Sequence, residues 1–405
     1  GGPGGLPRRR PRRPPAGARR GGPPLAAAVA PRREARAVRA RQGLRVLGMG
    51  GMRLAYRGAV GHGAVLPQWR AMDIDETCCK VFSQMFGADY VRDIKGTRRW
   101  EYAPGQDEVW QVSIDRMPPE AFEGADLWLM SPPCQPFTKT GKRGDDKDPR
   151  SASLLHMLEV LPLLKHPPRA LLLENVPPFF GSKTHELTKK ALRRCGAASD
   201  TRYEVEEVVL DPVTFGFPNT RKRFYLSAVV AGEGSGGAGG AAQVPLPGFD
   251  GPPEPLRPVR DFCGPGADRL PVPVQLLQKS LKSTSTVDVA TGSSVVTKTF
   301  TSNYGKRDFG LRGLSTTGPV LLTEEDGLTP AEHVLERFPT PRDIGEGQFS
   351  RLRYFAPREV MALQGFPPDV DLPHELGVLH QWRLIGNSIN VAVVQRLLER
   401  LLARM

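Results

Sequence analysis

Cysteine is scarce in this chain, long apolar runs are missing, and the first 45 residues contain no lysine and a single acid. Five cysteines in 405 residues, none in a Cys-x-x-Cys pair, form neither a disulfide framework nor a zinc site and point to a reducing compartment. A cysteine that matters here matters as a thiol. No stretch approaches the roughly 18 apolar residues that cross a bilayer, and no charged-then-apolar leader opens the chain, so a secreted or membrane protein is not expected. Hydrophobic residues make up 39%, enough for a core. The length allows two or three domains. Collagen-like and fully disordered readings are excluded, and there are no internal repeats.

The formal net charge is +13 and the isoelectric point about 9.7, which suggests a polyanionic partner only if the charge sits on a folded surface. It is not evenly spread. Residues 1–45 hold 13 arginines against Glu34, a net +12, in Pro/Gly/Ala/Arg low-complexity sequence that cannot bury enough apolar surface to order itself. Residues 1–43 therefore read as a disordered tail, with an inert extension weighed above a nucleic-acid arm. The first methionine is Met49. An organelle transit peptide would be equally Arg-rich but also Ser-rich, and no serine precedes Ser83.

A second break, 232–258, has the Gly/Ser/Pro content of a flexible linker. Before it, short apolar runs at 44–47, 69–74, 126–130, 170–174, 203–210 and 223–230 read as strands. They alternate with helical patterns at 151–165 and at 183–195, the latter closed by Gly196 as C-cap. That alternation predicts an α/β fold, a mostly parallel sheet covered by helices. After the break, VDVATGSSVVTKTFTSNYG is strand-like, and Asn390 caps a final amphipathic helix.

Four features could carry chemistry. In DLWLMSPPCQPFT an apolar strand ends in a loop that holds Cys134 between Pro133 and Pro136, outside a strand's carboxyl end, where open α/β sheets place their active sites. A thiol so framed is preorganised for attack, whereas Cys78, Cys79, Cys195 and Cys263 read as ordinary buried cysteines. In ALLLENVPPFF, Glu174 follows a buried strand, where a carboxylate can bond an amino group and share a proton with a ring nitrogen. In FPNTRKRFYL, Arg221 and Arg223 alternate at another strand mouth and are expected on one face, suited to a phosphate or a pyrimidine carbonyl. Last, GMGGMR makes a Gly-rich turn through Gly48, Gly50 and Gly51, and Asp73 and Asp75 follow at a later strand end. A nucleoside cofactor could thread that turn with Asp73 on its ribose.

Together SPPCQPFT, LENV, NTRKRFYL and QWRLIGNSINVAVV resemble, in order and spacing, the motifs of the cytosine carbon-5 methyltransferase family. The run MSPPCQPFTKTGKRGDDKDPRSASLLHMLEVLP and the later RLRYFAPREVMALQGFPPDV resemble its tRNA-Asp-methylating branch, which is grouped by sequence with DNA methyltransferases. The resemblance covers about residues 44–232 and 296–403. It implies a class I S-adenosylmethionine-dependent methyltransferase, a Rossmann-like mostly parallel sheet with a small target-recognition domain. The expected layout is a catalytic domain over 44–231, target recognition over 259–350, and a return segment over 351–405 that completes the catalytic domain.

The resemblance also implies roles. Cys134 would attack carbon 6 of cytosine, Glu174 would hold the amino group and nitrogen 3, and Arg223 with Arg221 would bind the carbonyl at position 2. Gly48, Gly50, Gly51, Asp73, Asn387 and Ser388 match positions of the S-adenosyl-L-methionine pocket, and no metal is implied. Two departures stand out. The strand RVL joins the Gly turn directly, as if about four residues including an aromatic were missing. Where the branch has Cys-Phe-Thr, this chain reads Thr299-Phe300-Thr301. The leading expectation is a tRNA cytosine-5 methyltransferase, monomeric, in cytoplasm or nucleus with an organelle left open. A DNA cytosine-5 methyltransferase and a catalytically impaired nucleic-acid-binding homologue are the alternatives.

Overall fold

A computed structural model describes residues 1–2, 44–46, 49–61, 63–93, 105–138, 144–199, 202–231, 244–264, 270–281, 288–306, 318–332 and 340–405. The Arg-rich tail up to residue 43 and Gly48 therefore lie outside the described residues, apart from Gly1 and Gly2.

The first half of the chain builds one sheet. Its elements are β1 (Leu44–Val46), α1 (Gly51–Val60), β2 (Trp69–Asp73), α2 (Glu76–Phe86), β3 (Asp89–Arg92), β4 (Glu108–Gln111), β5 (Leu127–Met130), α3 (Ala152–Val160), β6 (Ala170–Asn175), α4 (Lys183–Ser199), β7 (Tyr203–Leu210) and β8 (Arg223–Val230). The eight strands lie in the order β3-β4-β2-β1-β5-β6-β8-β7. From β3 to β6 all neighbours are parallel, and β8 and β7 close the sheet antiparallel. The unbroken apolar runs LWLM and ALLL are buried throughout, as parallel strands covered on both faces require. The edge strand β7 instead carries Glu204, Glu206 and Glu207, which blunt an exposed edge.

The expected mostly parallel α/β sheet is thus present, with β3 and β4 added. Both are four residues long, and β4 (EVWQ) buries two polar side chains. Glu108 sits there because it accepts the Trp110 indole N–H at 3.0 Å, a compensation that apolar periodicity does not reveal. The helix expected at 151–165 tightens at Leu161–Leu163, where Pro162 interrupts regular α-helical bonding. The helix expected to stop at Gly196 runs on through it to Ser199.

The remaining elements are α5 (Val274–Leu281), β9 (Val289–Ala290), β10 (Val320–Leu322), α6 (Pro341–Ile344), β11 (Leu352–Arg353), α7 (Pro357–Leu363), α8 (Val378–Asn387) and α9 (Val391–Leu402). Strands β9, β10 and β11 form a small separate sheet, so the second sheet takes its last strand from just beyond position 351. The long strand-like stretch after residue 286 yields only β9. Its later residues bond outward to the first half of the chain instead: Thr297 and Pro218 are joined by a 2.9 Å backbone bond, as are Thr220 and Thr297, and the Thr299 hydroxyl donates to the Thr220 carbonyl.

The expected flexible linker is corrected from Val244 onward. Leu246 is fully buried, Glu254 N–H donates to Thr214 at 2.8 Å, and Arg257 N–H donates to Gly216 at 3.1 Å. A Pro-rich segment loses little entropy on ordering, so one buried Leu and a few backbone bonds hold it. The final helix forms as expected, with the Asn390 side chain accepting from Val393 N–H at 3.1 Å, and α9 lies against α1. No described helix is long and apolar enough to cross a membrane.

Candidate active site

Chain order reverses direction at β1: the path leaves through β2 and returns at β5 on its other side. Ligands in open α/β sheets bind outside the carboxyl ends at such a switch point. The Gly turn after β1 and the Cys134 loop after β5 both open there, and a cavity of about 580 Å³ is lined by Gly51, Asp73, Cys134, Glu174 and Arg223 among others.

The Cys134 loop is tied to the tip of β6 twice. Ser131 donates its hydroxyl to Glu174 Oε2 at 2.8 Å, and Asn175 Nδ2 donates to the Pro132 carbonyl at 3.3 Å. Phe137 N–H closes a turn onto the Cys134 carbonyl at 3.0 Å, and the Phe137 ring packs edge-on against Phe179 with centroids 5.0 Å apart. The thiol is half-buried. Burial pushes it up, the Arg223 guanidinium pulls it back, the Glu174 carboxylate pushes it further up, and Arg221 again opposes. Cys79 and Cys195 are pushed up more strongly, to about 12 and about 11, chiefly by burial, in keeping with inert thiols.

Glu174 is buried and its second oxygen meets Arg223, with Nε 3.2 Å from Oε1. Arg221 departs from the expectation of a matched pair on one face. Its guanidinium is buried and donates to the carbonyls of Phe300 and Gly386, each at 3.1 Å, and of Ser388. Burial holds its pKa down at about 9, with Arg223 contributing in the same direction. Arg221 borders the cavity but clamps three chain segments together, while Arg223, the first residue of β8, meets Glu174 and donates from Nη1 to the Lys222 carbonyl at 2.8 Å.

On the other side of the cavity Gly50 has φ +104°, and a Cβ there would stand 2.4 Å from the Phe86 ring. A Cβ on Gly51 would meet Ile389 at 2.9 Å and the Ser388 hydroxyl at 3.0 Å. Glycine is therefore required for the turn and for the close approach of the C-terminal segment. Asp73 accepts from Asp75 N–H at 2.9 Å, Ile74 is exposed beside it, and Asn387 and Ser388 line the same space. An apolar face, a neighbouring carboxylate and a helix N-terminus fit a nucleoside-bearing cofactor. Asp75, by contrast, caps α2 through Thr77 and Cys78 and pairs with Arg383 at 2.6 Å.

The C-5 cytosine-specific DNA methylase family model matches residues 46–235 and 276–403 of this chain, taking in all of these groups. The chain belongs to this family. A tRNA (cytosine(38)-C(5))-methyltransferase of Schizosaccharomyces pombe is 32% identical over 72% of this chain and 82% of its own length. One from Homo sapiens is 30% identical over 68% and 81%. The crystal structure of S. pombe Dnmt2 methyltransferase superposes with a TM-score of 0.66 at 28% identity, covering 89% of this chain and 98% of that one.

Within this methylase fold, Ser131, Ile74, Arg150 and Arg383 also line the cavity, and sequence reasoning did not single them out. Ser131 lies inside the SPPCQ motif, so position was available as a signal but its partner was not. Arg150 stands 2.7 Å from Asp148 and lies inside the longer run that follows SPPCQ, where nothing local singles it out.

Proposed function

We propose that this protein transfers a methyl group from S-adenosylmethionine to carbon 5 of a cytosine in tRNA. The observation that carries the reading is the meeting of Cys134, Glu174 and Arg223 on one cavity whose opposite wall suits a nucleoside. The cofactor would supply an electrophilic methyl group, and the Gly50–Gly51 turn, Asp73, Asn387 and Ser388 would hold it. Cys134 adds as a thiolate to carbon 6, which makes carbon 5 nucleophilic. Glu174 holds the amino group and nitrogen 3 as charge develops, and Arg223 orients the base through the carbonyl at position 2. Methyl transfer would leave S-adenosylhomocysteine; carbon 5 then gives its proton to solvent, the C–H electrons restore the 5,6 double bond, and Cys134 departs as thiolate.

A stacked base cannot be attacked at carbon 6, so the target must leave its stack, which costs little in a tRNA loop. The relatives named as tRNA methyltransferases support RNA over DNA. Labelled methyl transfer to tRNA against duplex DNA tests the reading. Label on tRNA that disappears in Cys134→Ala is expected. Label on DNA alone would overturn the substrate, and no cofactor binding by calorimetry would overturn the chemistry.

A further inference from the structure

We infer that Ser131 is a positioning residue for the Glu174 carboxylate, holding it in the one orientation that reads cytosine; the inference rests on the function proposed above. Strands β5 and β6 pair in parallel up to Met130 opposite Leu173, so Ser131 and Glu174 are the first residues past the pairing. Their side chains meet there, hydroxyl to Oε2 at 2.8 Å, while Arg223 Nε stands 3.2 Å from Oε1. Each carboxylate oxygen is thus held from a different element. Rotation about the last side-chain torsion of a glutamate is otherwise broad and shallow, so a single partner would leave the carboxylate plane loose. With two partners the plane is set, and one oxygen keeps a lone pair to accept from the amino group of the base while the other can share a proton with nitrogen 3, which is itself an acceptor.

The hydroxyl also ties the loop to β6. That anchoring is also done by Asn175, which bonds the Pro132 carbonyl independently of Ser131. Ser131→Ala should therefore leave Cys134 where it is and release only the carboxylate. A bond to a charged group is strong enough for its loss to matter in the transition state, where Glu174 faces developing charge, more than in binding a tRNA held by many backbone contacts.

The test is steady-state methylation of tRNA by wild type, Ser131→Ala and Ser131→Thr, with thermal melts of each. Ser131→Ala should lower kcat on the order of tenfold with the KM for tRNA within about twofold and the melting temperature unchanged. Ser131→Thr keeps the hydroxyl and should recover most of the lost kcat. Undiminished kcat in Ser131→Ala, or a Thr variant as slow as the Ala variant, would overturn the inference while wild-type turnover kept the function itself standing. Failure of wild type to label tRNA would instead overturn the proposed substrate, and this inference with it.

Discussion

Two arginines two positions apart do different work in this site. Arg223 meets Glu174 at the cavity, and Arg221 gives its guanidinium to carbonyls of Phe300, Gly386 and Ser388. Arg223→Ala should cut methyl transfer by about 100-fold with the melting temperature nearly unchanged, because one orienting contact is lost from a half-buried group. Arg221→Ala should instead lower stability by about 3 kcal/mol, since several buried carbonyls lose their donor, and calorimetric melts will separate the two. Cys134 adds a pH signature. Its thiol is held above the ordinary value, first by burial, so the thiolate fraction is small at neutral pH and grows as pH rises. Alkylation of Cys134 by iodoacetamide should accordingly accelerate into the alkaline range with a midpoint above that of free cysteine. Arg223→Ala should move that midpoint higher still, because Arg223 is the stronger of the two cations that lower it.

Elements were legible where a run was long and apolar: β5, β6, β8 and α9 are where periodicity puts them. Strands β3 and β4 were not, being four residues each with polar ends that become acceptable only against particular partners. The stretch around β9 shows the same limit, since its backbone bonds go to residues 218–220, remote in sequence. Asp288, at the start of that seam, is buried with Oδ2 accepting from Lys298 N–H at 2.9 Å and Oδ1 without a partner among the described residues. Burial raises its pKa to about 6. A carboxyl raised above its unfolded value contributes stability that is fully present below about pH 4 and lost as pH rises through about 6. The wild-type melting temperature should carry that loss between pH 4 and 6, and Asp288→Asn should remove it, gaining up to about 2 kcal/mol at pH 7.5 and little at pH 4 in paired melts.

Over the whole molecule the net charge of +13 belongs almost entirely to residues 1–45. Every group placed at the cavity lies after position 48, and the first strand begins at Leu44. Deleting residues 1–43 should therefore leave kcat for methyl transfer within about twofold, measured with labelled cofactor, and any loss should appear in the salt dependence of RNA binding. From Leu44 on, the described residues form one compact unit, to which the C-terminal segment contributes through Arg221 and through α9 on α1. Arg400 of α9 also pairs with Glu206 of the edge strand and with Asp250 of the segment expected to be a linker, which joins three distant parts of the chain.

The amino-acid sequence alone marked the candidates, because a proline-framed thiol, a strand-end carboxylate and a Gly-rich turn are local features fixed by neighbouring residues and by the apolar runs before them. Which groups meet emerges only when the chain is folded. The Ser131–Glu174 bond joins residues 43 apart and the Arg221 clamp spans 165, and no local pattern encodes a contact across that distance. Burial then distinguished the arginines: Arg221 is enclosed where carbonyls converge on it, and Arg223 stays at the cavity beside a carboxylate.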